Sequence, residues 1–138
     1  MKIIQVIPTY NEAQNLPLLV SALLEQKIPN LNILVVDDNS PDGTGEIADS
    51  LSRDYAGKLT VLHRQGKEGL GKAYIHGFRH ALDAGADIVG EMDADFSHPP
   101  DRYPALLAAI ENADVVVGSR YTAGGSVDKD WPFWRKGL

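Results

Sequence analysis

The chain contains no cysteine, which excludes both a disulfide framework and a thiolate metal site. It also lacks long hydrophobic runs. The longest, Ala105 to Ile110, is six residues, far short of the roughly 20 that cross a bilayer as a helix. The opening stretch "MKIIQVIPTYNE" has one lysine and a brief strand-like run, too short for a secretory signal. Positive charge is scarce: 13 Lys and Arg stand against 19 Asp and Glu, a net charge of −6. That balance argues against a nucleic-acid binder. An anionic partner would have to be met by a local cluster of cations or by a bound metal. Neither internal repeats nor low-complexity segments occur. With 138 residues, the chain is long enough for a compact domain with a core.

What is present is a regular alternation. Five apolar, β-branched segments recur: Lys2–Pro8, Asn32–Asp38, Lys58–Arg64, Ala86–Asp93 and Ala113–Ser119. Each reads as a strand buried on both faces, as in a parallel sheet. Helical periodicity fills the gaps. Leu16, Leu19, Val20, Leu23 and Leu24 share one face, with Pro17 suited to a first turn. Thr44 is placed to cap a second helix carrying Ile47, Ala48, Leu51 and Tyr55. A third helix, from about Leu70 to Ala84, turns Ala73, Gly77, Phe78, Ala81 and Leu82 inward, and a fourth carries Tyr103, Leu106, Leu107 and Ile110. This order predicts right-handed βαβ units and an α/β fold: an open, mostly parallel sheet with helices on both faces. The expected division is residues 1–121 as one domain and 122–138 as the start of a further segment. The chain ends without a structural stop signal, and truncation at the C-terminus is expected.

In open α/β sheets, ligands bind beyond the carboxyl ends of the strands. Those ends hold the unusual residues: "PTYNE" (Pro8 to Glu12), "DDNSPDGT" (Asp37 to Thr44), "GEMDADFSHPP" (Gly90 to Pro100) and "GSRY" (Gly118 to Tyr121). Asp93 and Asp95, at i and i+2 of an extended segment, would share a face and repel unless something positive lay between them. A solvated turn with capping aspartates is the plainer account of such a pair. The chemical one is a divalent cation, Mg²⁺ or Mn²⁺, held by Asp93 and Asp95 with the nearby Ser97 oxygen and carrying a diphosphate. His98 is the other polar neighbour. Of Asp37 and Asp38, at most one faces a given pocket, and the other ties the turn. "GKEGLGKA" (Gly66 to Ala73) nearly matches a phosphate-cradling loop, but Ala73 lacks the hydroxyl that would ligate Mg²⁺. It reads as a glycine loop from which Lys72 or Lys67 reaches phosphate, and Arg120 is the stronger phosphate partner.

Taken together, "PTYNE", "VVDDNSPDGT", "GLGKAYIHG", "DADFSHPP" and "VVGSRY" resemble the polyprenyl (dolichol)-phosphate mannosyltransferases, family-two glycosyltransferases of the GT-A fold. The resemblance spans nearly the whole chain in order. It implies transfer of mannose from GDP-mannose to dolichyl or another polyprenyl phosphate with inversion, at the cytoplasmic face of a membrane. It further implies that Pro8, Tyr10, Glu12, Val36 and Asp38 line the nucleotide pocket, that Asp93, Ala94 and Asp95 meet diphosphate and metal, and that Arg120 contacts the donor phosphates. Asp93, Asp95 and Arg120 would then be the catalytic set. Members of the family continue past "WRKGL" with further sheet and acceptor-site residues, and some add transmembrane helices. An acceptor phosphate is already mostly dianionic at neutral pH, its second pKa being near ~6, so it needs no general base, and no unassigned base stands out here. Trp131 and Trp134, with Lys129, Arg135 and Lys136, would suit a membrane surface or an ordinary core-covering segment. Other readings are a transferase of the same fold using a UDP-sugar and a hydroxyl acceptor, a receiver-like domain, a P-loop hydrolase, or a non-catalytic nucleotide-binding module.

Overall fold

A computed structural model of the chain describes residues 1–119. The described residues fall in two compact units, Met1–Tyr103 and a second that starts at Pro104. The first is an open α/β sheet: β1 (Ile3–Thr9), α1 (Asn15–Glu25), β2 (Leu31–Asp37), α2 (Thr44–Asp54), β3 (Leu59–His63), α3 (Leu70–Asp83) and β4 (Ile88–Glu91). The strand order is β3-β2-β1-β4, parallel throughout. The direction of strand addition reverses once. The first two crossovers step one way from β1, and the third returns to its other side. Right-handed crossovers then put α1 and α2 on one face and α3 on the opposite one. The reversal opens a crevice at the carboxyl ends of β1 and β4.

Pleating sorts the core accordingly. Ile4, Val6, Leu34 and Val36 meet Ala73 and Ala81 of α3, with Leu62, Phe78 and Val89 at the edges. On α1, Leu16, Leu19, Val20 and Leu23 are fully buried, as are Ile7, Ile33 and Val35 of the sheet. Burial on both faces, expected of every strand, holds for β1 and β2; β3 and β4 lie at the sheet edges and are only partly covered. Gln5 is an unexpected buried polar side chain in β1. Its amide oxygen occupies the space beside Gly90, where a Cβ would lie 2.1 Å from it. A larger residue at position 90 of β4 would have to turn the Gln5 amide aside.

Four expectations need correction. Leu82 is 62% exposed, because α3 is seated through the narrow seam of Ala73, Gly77 and Ala81 and its flank turns outward. Thr44 is not the cap of α2: Gly43 precedes the helix without a side-chain cap, and Thr44 is buried in the first turn. β4 stops at Glu91, since its ladder with β1 runs only from Ile3–Ile88 to Val6–Glu91. The aspartate pair therefore lies on a turn, not on an extended strand. α4 (Tyr103–Ile110) forms as expected, but Ala113–Ser119 makes no strand, and Val115 and Val117 are exposed. A β-branched segment becomes a strand only when a neighbouring strand accepts its ladder. The boundary expected near Thr122 lies outside the described residues.

Candidate active site at the carboxyl rim

Three strand ends build the rim. Thr9 and Asp37 are register partners on β1 and β2, and the Thr9 hydroxyl donates to Asp37 Oδ1 at 2.7 Å. Ser40 closes the turn by donating to both Asp37 oxygens, through its hydroxyl at 2.7 Å and its N–H at 3.1 Å. Asp37 is thus the turn-tying carboxylate. Asn11 and Asn39, both at φ 56°, take the left-handed conformation that asparagine tolerates, so both chain ends bend sharply away from the sheet. Asn11 N–H donates to Ser40 Oγ at 3.0 Å and Glu12 N–H to Thr44 Oγ1 at 3.0 Å. The Thr44 hydroxyl in turn bonds to Asp42 and, with its N–H, holds that carboxyl below the ordinary range.

Asp38 points to the other face. It is 5% exposed and accepts from Arg64 Nη1 at 2.9 Å. Burial pushes its carboxyl above the usual range, and the Arg64 guanidinium opposes that shift. Arg64 also reaches Glu68 at 3.2 Å. Pro8 and Val36, buried register partners, floor this side, and Glu12 accepts from Asn15 at 3.0 Å. Tyr10 is 38% exposed, with Lys67 Nζ 4.4 Å from its ring centroid, a cation–π distance. Of the glycine-loop lysines, Lys67 lies against the rim. Lys72 is 70% exposed and 3.9 Å from Glu68, and Ala73 is buried in the helix seam.

Across β1 lies the aspartate turn. Asp93 Oδ1 accepts from the Tyr74 hydroxyl at 2.7 Å, and the Asp93 N–H donates to His98 Nδ1 at 3.1 Å. Burial first, then the Asp93 carboxylate, push the Tyr74 phenol far above its usual range, so it remains a donor. Asp95 is exposed and accepts from Ser97 N–H at 3.0 Å; the Ser97 side chain, as the largest cause, lowers its pKa. Ala94 between them is buried. Phe96, at φ 62°, holds the left-handed conformation that costs a bulky residue about 1–3 kcal/mol.

Every expected residue of the first three strand ends therefore sits on one rim of one unit. Arg120 lies outside the described residues, as does the segment with Trp131 and Trp134. Thr9, Ser40, Arg64 and Tyr74 carry contacts that the sequence reading did not assign. Their signal was weak: Arg64 closes a strand, and Tyr74 lies inside "GLGKAYIHG" at a position that helical spacing reads as core.

A family model described as Glycosyl transferase family 2 matches residues 5–137. An undecaprenyl-phosphate mannosyltransferase of Micrococcus luteus is 48% identical over 136 residues, 99% of this chain and 55% of its own length. A polyprenol monophosphomannose synthase of Mycolicibacterium smegmatis is 48% identical over 132 residues, 95% of this chain and 49% of its own length. The chain spans about half the length of these curated relatives. Among solved structures, a mannosyltransferase from Pyrobaculum calidifontis in complex with GDP-Man and Mn²⁺ superposes with a TM-score of 0.73 at 26% identity, covering 86% of this chain and 36% of that one.

Proposed function

The chain belongs to glycosyl transferase family 2, and we propose on that basis that its rim holds the donor, GDP-mannose, for mannosyl transfer to a polyprenyl phosphate. The observation that carries this reading is the division of the rim by β1. One side has a buried acid–guanidinium pair and an aromatic ring, the other a turn with two carboxylates. A nucleoside suits the first and a diphosphate with its cation the second. The names of the similar proteins, and the GDP-Man and Mn²⁺ of the structural neighbour, support the same assignment.

In this reading Pro8, Tyr10, Glu12, Val36 and Asp38 line the nucleoside side. Asp93, Ala94 and Asp95 face the diphosphate, and Arg120 contacts the donor phosphates. Among the described residues no three acidic or histidine side chains cluster as a metal cage. Two carboxylates and the Ser97 hydroxyl fit Mg²⁺ or Mn²⁺, ions that keep several waters and complete their shell with substrate phosphate. Bound there, the cation would offset charge on the departing diphosphate. The residues of the chain orient the donor so that an acceptor phosphate oxygen attacks the anomeric carbon from the face opposite the leaving group, which inverts its configuration. Because that acceptor is a lipid, the rim would work at a membrane surface. Among the described residues no helix is long and apolar enough to cross one.

Calorimetric titration of the chain with GDP, UDP and Mn²⁺ tests the donor side: GDP is expected to bind with Mn²⁺ and UDP more weakly. Absence of GDP binding overturns the reading. For transfer, a polyprenyl phosphate incubated with GDP-mannose and a protein carrying the complete domain should gain the mass of one hexosyl residue, a hexose less water.

A further inference from the structure

We infer that Tyr74 is the positioning residue of the aspartate turn, holding the Asp93 carboxylate in the orientation in which it meets a divalent cation and diphosphate. This rests on the nucleotide-sugar reading of the rim. Tyr74 is the fifth residue of α3, on its inner flank, packed against the cluster of Ile4, Val6, Leu34 and Val36. Its ring lies 5.7 Å from that of Phe78, tilted by 33°. A ring has only two torsions, and packing on the sheet cluster and on Phe78 narrows the positions open to the hydroxyl. From there it donates to Asp93 Oδ1 at 2.7 Å.

Asp93 is therefore held at both ends, its side chain by α3 and its N–H by His98 Nδ1 at 3.1 Å. The bonds of Asp95 come from Ser97, inside the same turn. One carboxylate is oriented by the rigid core and the other only by its local turn. Carboxylates at metal sites need such outer partners, and losing one typically costs 10- to 100-fold in metal affinity. Tyr74 also follows the glycine loop by one helical turn, so the same helix that carries Lys67 and Gly69 at its entrance fixes Asp93.

Tyr74→Phe keeps the ring and removes only the oxygen. In the full chain, Mn²⁺ affinity in the presence of GDP, read from the electron paramagnetic resonance signal of free Mn²⁺, should weaken about tenfold. The thermal midpoint of the metal-free chain should change little. Adding Tyr74→Phe to Asp93→Asn should cost little more, because the hydroxyl acts through that carboxylate, whereas adding it to Asp95→Asn should cost its full amount. Unchanged Mn²⁺ affinity in Tyr74→Phe, or full additivity with Asp93→Asn, overturns the inference while leaving the donor reading intact. A wild-type chain that binds GDP but no Mn²⁺ removes this inference alone, and one that binds neither removes the donor reading with it.

Discussion

Arg64 Nη1 lies 2.9 Å from Asp38 Oδ1, and both side chains are less than a tenth exposed. Burial nonetheless leaves the Asp38 carboxyl above its usual value, with Arg64 as the opposing influence. The folded chain thus holds this proton more tightly than the unfolded chain does. The stability contributed is complete below the unfolded value, about 3.9, and is lost as pH rises through the folded value. Arg64→Ala removes the opposing cation, so the loss deepens and reaches higher pH. The expected deficit is about 3 kcal/mol near neutral pH and clearly smaller near pH 4. Combining it with Asp38→Asn should recover part of the deficit. Urea unfolding across that range is the check, and a pH-independent deficit would refute this account of the pair.

Gly77 seats α3 on the sheet. A Cβ at this position would lie 2.5 Å from Val6 Cγ1 and 3.1 Å from Val36 Cγ2. Alanine improves helix propensity by about 1 kcal/mol, but overpacking a filled core costs about 1–3 kcal/mol. Gly77→Ala should therefore be destabilised. At Gly71, nothing lies within 4 Å of an added Cβ, so Gly71→Ala should be neutral or more stable. Their denaturation midpoints should move apart, and movement together would mean that propensity decides both.

Much of this was legible in order and pattern. The uninterrupted β-branched runs and the 3.6-residue spacing between them foretold five strands, of which four form, and the helices between them, because hydrophobic periodicity is a local property. Strand alternation implied that Asp37 and Asp38 take different faces, and they do: Asp37 ties the turn through Ser40 and Asp38 pairs with Arg64. Less legible was whatever depends on a neighbour. Ala113–Ser119 has the composition of a strand, yet composition cannot supply a ladder partner. The end of β4 is set by where β1 stops pairing with it, so the aspartates moved from an extended segment onto a turn. Tyr74 and Arg64 were hidden for a related reason: each acts through a residue distant in sequence, Asp93 and Asp38.

Lys72 occupies the place of a P-loop lysine, but Ala73 behind it is buried in the helix seam and offers no hydroxyl. The lysine itself is 70% exposed and 3.9 Å from Glu68, a surface pairing of small worth. Lys72→Ala should leave Mn²⁺-dependent GDP affinity within a few-fold, and Arg120→Ala should weaken it more. The opposite ranking by calorimetry would favour a nucleotide hydrolase.

The two carboxylates of the turn should not be equivalent. Asp93 has one oxygen engaged by the Tyr74 hydroxyl at 2.7 Å. Asp95 is exposed and stays ionised below the ordinary carboxylate range, with Ser97 as the principal cause. A cation that retains several waters fits more easily against the exposed carboxylate than against the one enclosed by α3. Asparagine keeps the volume and one acceptor oxygen but removes the charge, so each substitution reports chiefly on electrostatics. On the scale of losses seen at metal sites, Asp93→Asn should weaken Mn²⁺-dependent GDP binding about tenfold and Asp95→Asn about a hundredfold. Chelating the cation should bring the wild-type chain down to the level of Asp95→Asn. GDP titrations of the three chains, with Mn²⁺ and with chelator, measure both differences. Equal binding by Asp95→Asn, or binding indifferent to the chelator, would mean that the diphosphate is held without a metal at this turn.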